Sequence, residues 1–168
     1  FPLSFVARYV RPDSAIKGGD PRSATNRPMM PDHVKVIHDY LIENKTAYIL
    51  PPVTLNIRKV PQLHVNKSNS AIRSGFLVVT DEAVLYVTDG QHRIAALAGY
   101  DKVPGVLTDD PEMGSDGLAV QIVVEPEIIR IHQDFADAAH TKPIPPSLLA
   151  AYNMREPINQ VLQRIVKE

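Results

Sequence analysis

Cysteine is absent from the 168 residues, and with it go disulfides, thiolate metal sites and any role that carries sulfur as a protein persulfide. No apolar run approaches the roughly 18 residues of a membrane-spanning helix and no signal peptide is visible, so a cytoplasmic protein without membrane partners is expected. An excess of basic residues is missing too, since 18 Lys and Arg stand against 19 Asp and Glu for a net charge of −1. A surface that coats nucleic acid without specificity needs a marked cationic excess, which leaves room only for a local basic patch. Paired metal-ligand motifs, a Walker loop, an orderable Ser-His-Asp set and internal repeats are likewise lacking, and no metal site is predicted. What is present is 44% hydrophobic and 22% charged residues, enough for one compact domain over 1–168 and too little for two. Because the first residue is Phe1 rather than Met, the sequence is expected to be a processed or truncated piece.

The chain is organised around Asp89-Gly90-Gln91-His92-Arg93. Residues 83–87 are rich in Val, Leu and Tyr, as a buried strand is, whereas Ile94, Leu97 and Ala98 share one helical face. Gly90 is the hinge between them. A helix start leaves backbone N–H groups without partners and carries a partial positive charge, which suits an anion such as phosphate. Gln91, His92 and Arg93 add an amide, an imidazole and a guanidinium within that first turn. Asp89 just ahead is suited to capping the helix, holding Arg93 or His92, or orienting a metal-bound water. An Asp-Gly turn opening a helix is also a common structural device, so these residues alone support an ordinary cap as well as generic anion binding.

At every position the motif resembles the signature of DGQHR-domain proteins, notably the DndB family of DNA sulfur (phosphorothioate) modification systems. More distantly it is similar to the ParB and sulfiredoxin superfamily, which also places a glycine-led, arginine-ending box between strand and helix to hold nucleotide phosphates. The resemblance implies an α+β fold with a mixed sheet: a ParB/sulfiredoxin-like nucleotide-binding module over 22–124, then C-terminal helices over 127–168. It implies phosphate contacts from Gly90, Gln91, His92 and Arg93. Arg27 joins them by analogy with the first ParB-like box, ahead of its neighbours Arg22, Ser23, Thr25 and Asn26. Lys142 is carried over from the stretch that follows the signature in DGQHR proteins, although His140 stands here where that stretch has Asn. Sulfiredoxins place a reactive cysteine where Gln91 stands, so their thiol chemistry is excluded. ParB-like boxes carry Glu and a second Arg where Gln91 and His92 stand, so their nucleotide preference does not transfer.

Along the chain, residues 1–10 alternate weakly, with Leu3, Phe5 and Tyr9 on odd positions, which predicts an edge strand. Residues 11–27 read as a loop around Gly18, Gly19 and Pro21. Pro31 and Asp32 suit a helix first turn, and Val34, Ile37, Leu41 and Ile42 form its apolar stripe. His33 and His38 lie five apart on different faces, so each reads as a surface or half-buried histidine and not as half of a metal pair. After Pro51 and Pro52, residues 53–57 alternate as a half-buried strand, and 66–74 are a polar, exposed loop. Residues 76–80 and 83–88 predict a hairpin of two largely buried strands turning at Asp81 and Glu82. Gly99 ends the helix begun at Gln91, 102–117 form a loop, and 118–124 form a strand. Residues 127–140 predict a helix through Ile128, Ile131 and Phe135 with His132 beside the stripe, and after Pro143, Pro145 and Pro146 two more helices begin at Ser147 and Pro157.

Three functions fit this pattern. The leading one is a DndB-like component of bacterial DNA phosphorothioate modification that binds DNA and regulates transcription of the modification genes. Arg93 and His92 then hold phosphate while Asp89 and Gln91 orient the site. With so little positive charge, sequence-specific contact requires a homo-oligomer, partner proteins of the modification system, or DNA-contacting segments outside this sequence. The second is a nucleoside triphosphatase using a nucleotide with Mg²⁺: Asp89 recruits the metal, Gln91 or His92 places water, Arg93 stabilises charge, and Glu125 or Asp137 supplies a second carboxylate. The third is a non-enzymatic, ParB-like nucleotide switch or a protein-interaction scaffold.

Overall fold

The computed structural model describes residues 1–12, 14, 28–66, 71–80, 84–138, 157, 158 and 161. The chain divides into two compact units, Phe1–Asp137 and Ala138–Glu168. The first is α+β. It begins with helix α1 (Leu3–Tyr9) and short strand β1 (Val10–Pro12), followed by helix α2 (Pro31–Glu43) and strand β2 (Val53–Ile57). Strands β3 (Gln62–Val65) and β4 (Gly75–Val78) come next, then β5 (Leu85–Asp89) and helix α3 (Gln91–Ala98). A short helix α4 (Val106–Asp109), a 3-10 turn (Pro111–Ser115), strand β6 (Val120–Val124) and helix α5 (Ile128–Ala138) follow. In the second unit residues 157, 158 and 161 are helical, in line with a helix beginning at Pro157. Among the described residues no helix is long and apolar enough to cross a membrane.

The main sheet has the order β1-β5-β2-β6, with β1 parallel to β5, β5 antiparallel to β2, and β2 parallel to β6. β2 and β5 are central, so Val53, Leu55, Ile57, Leu85 and Val87 are buried and form the core with Leu41, Ile94 and Leu97. Six of the eight residues of α3 are buried, as expected of a helix enclosed by α1, α2 and α4. Ala95 and Ala96 pack with Val34, and such small side chains let α2 and α3 approach closely. Asn56, buried within β2, donates from Nδ2 to the carbonyls of Val123 (3.3 Å) and Glu125 (3.0 Å), fixing the end of β6.

Five expectations are corrected. Residues 1–10 are mostly helix, because Leu3, Val6 and Val10 recur at helical spacing and are all buried. Two of the odd-numbered residues that suggest alternation, Phe5 and Tyr9, are i,i+4 neighbours on the helix with ring centroids 4.8 Å apart. Residues 76–80 do not form a hairpin with the following strand. β4 pairs antiparallel with β3, a strand the sequence pattern does not announce, while β5 turns to β1 and β2. β4 is also largely exposed, not buried. Within 102–117 the chain makes α4 and the 3-10 turn, because Val106 and Met113 find buried seats against the core. His38 is buried, with Nε2 2.9 Å from an Asp109 oxygen and Nδ1 3.1 Å from an Asp39 oxygen, and so braces α2 against α4. The Lys35 ammonium first, and then His38, holds the exposed Asp39 carboxyl below the usual carboxylate range.

Tyr48 ties the segment after α2 to the 3-10 turn, its hydroxyl donating to Asp116 Oδ2 at 2.6 Å. Desolvation first, and then the Asp116 carboxylate, pushes the phenol up to about 12 from an ordinary 10. A raised folded-state value gives stability that is complete below the unfolded value and disappears as pH climbs through the folded one. Unfolding free energy is therefore expected to decline between pH 10 and 12, and Tyr48→Phe should remove that part of the decline in urea titrations across the window.

Candidate phosphate-binding corner

Strand β5 leaves the sheet through an irregular register: Leu55 pairs with Val87 but Thr54 pairs with Asp89, so Thr88 is an extra residue in β5. Such a bulge bends the strand and re-aims the side chains beyond it. Thr88 is buried, and its Oγ1 donates to the Thr54 carbonyl at 3.1 Å, which holds the irregularity in place. Gly90 then takes φ +100, a conformation that an L side chain rarely adopts, and α3 begins.

The motif residues point in three directions. Arg93 folds back over Gly90. Its NH2 donates to Asp89 Oδ2 at 2.7 Å, and its NH1 donates to the carbonyls of Pro51 (3.0 Å) and Pro52 (2.9 Å). The Arg93 side chain is only 15% exposed, so the guanidinium is a clasp between the strand–helix turn and the start of β2. A Cβ on Gly90 would lie 3.0 Å from both Nε and NH2 of Arg93, which explains glycine and arginine together. Gln91 is buried and its Oε1 accepts from Ser14 Oγ at 2.8 Å, just past β1. His92, also buried, accepts the Met30 N–H on Nε2 at 3.2 Å, which leaves Nδ1 as the donor nitrogen of a neutral ring.

That last contact joins two helix starts. Met30 is the N-cap of α2, and His92 lies in the first turn of α3. His33, exposed in the first turn of α2, stacks on His92 with ring centroids 4.7 Å apart and planes 17° apart. The parallel strands β1 and β5 run the same way, so their carboxyl ends lie side by side, and each is followed in sequence by one of the two helices. Outside the carboxyl ends of such strands is where ligands sit in open sheets.

Arg27 and Lys142, with Arg22, Ser23, Thr25, Asn26 and His140, lie outside the described residues. Of the carboxylates considered as partners of Asp89, Glu125 is at the other end of β2: its N–H bonds the Ile57 carbonyl, and its Oε1 accepts the Glu127 N–H. Asp137 accepts from Gln133 Nε2 within α5. Sequence reasoning missed His33 as a partner of His92 and the prolyl carbonyls as partners of Arg93. The only signal for His33 was its place in a first turn, shared with His92. No curated protein and no solved structure matches the chain. The sequence model of the DndB family, described as DNA-sulfur modification-associated, matches residues 1–168, and over that whole length the protein belongs to this family.

Proposed function

We propose that this DndB-family chain is a DNA-binding regulator within DNA sulfur modification, and that the corner where α2 and α3 begin receives the phosphate of a nucleotide or of a DNA backbone. The observation that carries this reading is the convergence of two helix N-termini, one of 13 residues and one of 8, on the stacked His33 and His92 rings. Both macrodipoles present positive ends there, and the imidazole pair can add a hydrogen-bond donor to the arriving anion. Arg93 acts as a positioning residue, since its hydrogen bonds run to Asp89, Pro51 and Pro52. No observation favours the hydrolase reading, because the Asp89 carboxylate that it assigns to Mg²⁺ is paired with Arg93. Zero cysteines fit a regulator better than a sulfur carrier.

His33→Glu tests the corner without disturbing the core, since His33 is exposed. An acid in a helix first turn adds roughly 0.3–1 kcal/mol of stability, so the fold is expected to persist. Set beside an anion, the same carboxylate should weaken binding by about tenfold or more, equivalent to about 1.4 kcal/mol. Thermal shift with ATP, GTP and CTP, with and without Mg²⁺, reads nucleotide binding, and gel shift on duplex DNA reads the backbone. Phosphate release separates a hydrolase from a switch. Parent-like binding by His33→Glu in both assays overturns the corner as the site.

A further inference from the structure

The β3–β4 ribbon is inserted between β2 and β5, so its root lies at the Ile57 and Leu85 end of that strand pair, away from the corner at Thr54 and Asp89. A two-stranded hairpin is marginal on its own, and this one offers little to a core: every residue of β3 is exposed, as are all of β4 except half-buried Leu77. Phe76 and Ile72 are each 81% exposed and Leu63 is 61% exposed. Large apolar side chains so displayed mark a contact surface. At the outer end Gly75 permits unusually close pairing, since a Cβ there would lie 2.2 Å from the His64 carbonyl oxygen.

Charge says which partner. Acids make up 19 of the 168 residues, yet none occurs between Glu43 and Asp81. Arg58, Lys59 and Arg73 flank the two strands, all exposed, in a chain whose net charge is −1. Opposed residues on paired strands share a face, so Gln62 with Val78 and His64 with Phe76 form one side of the ribbon. That side combines an amide and an imidazole with an aromatic ring, a set suited to base edges and thymine methyls, and a two-stranded ribbon fits the major groove, about 12 Å wide. We infer that the β3–β4 ribbon is a DNA-reading arm that lays the Gln62, His64 and Phe76 face into a groove of duplex DNA while Lys59 and Arg73 engage flanking phosphates. The inference rests on the DNA-linked reading above but on different residues, so the two fail separately.

Fluorescence anisotropy of the full chain with a short labelled duplex at several salt concentrations is the test, with circular dichroism confirming the fold of each variant. Lys59→Ala/Arg73→Ala should lower the slope of log Kd against log salt by about 0.9 for each lost phosphate contact, about 1.8 in all. Phe76→Ser should weaken binding at every salt concentration without changing the slope. Loss of affinity in the ribbon variants with parent-like His33→Glu supports the arm and counts against the corner as a DNA site. Parent-like affinity in both ribbon variants overturns the inference, as does a parent chain that binds no duplex. A Phe76→Ser chain that passes from dimer to monomer in light scattering with DNA affinity intact also overturns it, and assigns the surface to a second copy.

Discussion

Gly90→Ala is expected to melt roughly 10 °C below the parent, whether or not any ligand is present. An L residue in the left-handed region costs about 1–2 kcal/mol, and Gly90 sits at φ +100. The new methyl would also lie 2.6 Å from Val53 Cγ1, and Val53 is fully buried, so the collision cannot be relieved into solvent. Forcing a methyl into a filled core adds about 1–3 kcal/mol. Together these amount to about 3 kcal/mol, and for a chain of this size each kcal/mol moves the midpoint by about 2–4 °C. The same methyl presses on the Arg93 guanidinium, so the clasp to Asp89 and the prolyl carbonyls should loosen as well. Gly117→Ala is the control: nothing lies within 4 Å of a Cβ there, and its melting temperature should stay near that of the parent. Equal midpoints for the two variants would show that the strand–helix turn is not a fixed point of the fold.

The parts of the fold legible in the sequence are those written in local chemistry. Pro31 and Asp32 open α2 as their place in a first turn dictates, Gly90 and Gly99 bracket α3, and β2 and β6 lie within their apolar runs. Ambiguity enters where one spacing satisfies two periods, as with Phe5 and Tyr9 on α1, which are four apart and also both odd. Hydropathy misleads at β4, because Phe76 and Val78 have the composition of a core strand and yet face outward. What decides that strand is its pairing with Gln62–Val65, and nothing local specifies a partner. The candidate site divides in the same way. Its motif is readable, but the contact of Met30 with His92, 62 residues on, and the seat of Arg93 on carbonyls 41 and 42 residues earlier are long-range facts.

Arg93→Ala should be a stability variant first and a binding variant second. The side chain satisfies three acceptors, and two of them are the carbonyls of consecutive prolines, Pro51 and Pro52, at the start of β2. Hydrogen bonds to a charged group contribute about 1.5–3 kcal/mol each, less when they share one donor group and one partner is exposed. With the Asp89 side chain 57% exposed and the Arg93 side chain 15% exposed, a loss of about 2–3 kcal/mol is expected, read as a lower urea midpoint with an unchanged slope. Lysine should restore only a minor share, because an ammonium is a point charge that cannot fork between the two carbonyls and the carboxylate. Asp89→Asn keeps an acceptor opposite NH2 and should cost about 1 kcal/mol. Binding at the corner would weaken in Arg93→Ala as a consequence, since His92 and Arg93 share the first turn of α3 and a slack turn shifts the imidazole from Met30 and His33. A direct phosphate ligand behaves in the opposite order. Its removal abolishes anion binding at a parent-like urea midpoint, and that result would transfer Arg93 from the scaffold to the binding site.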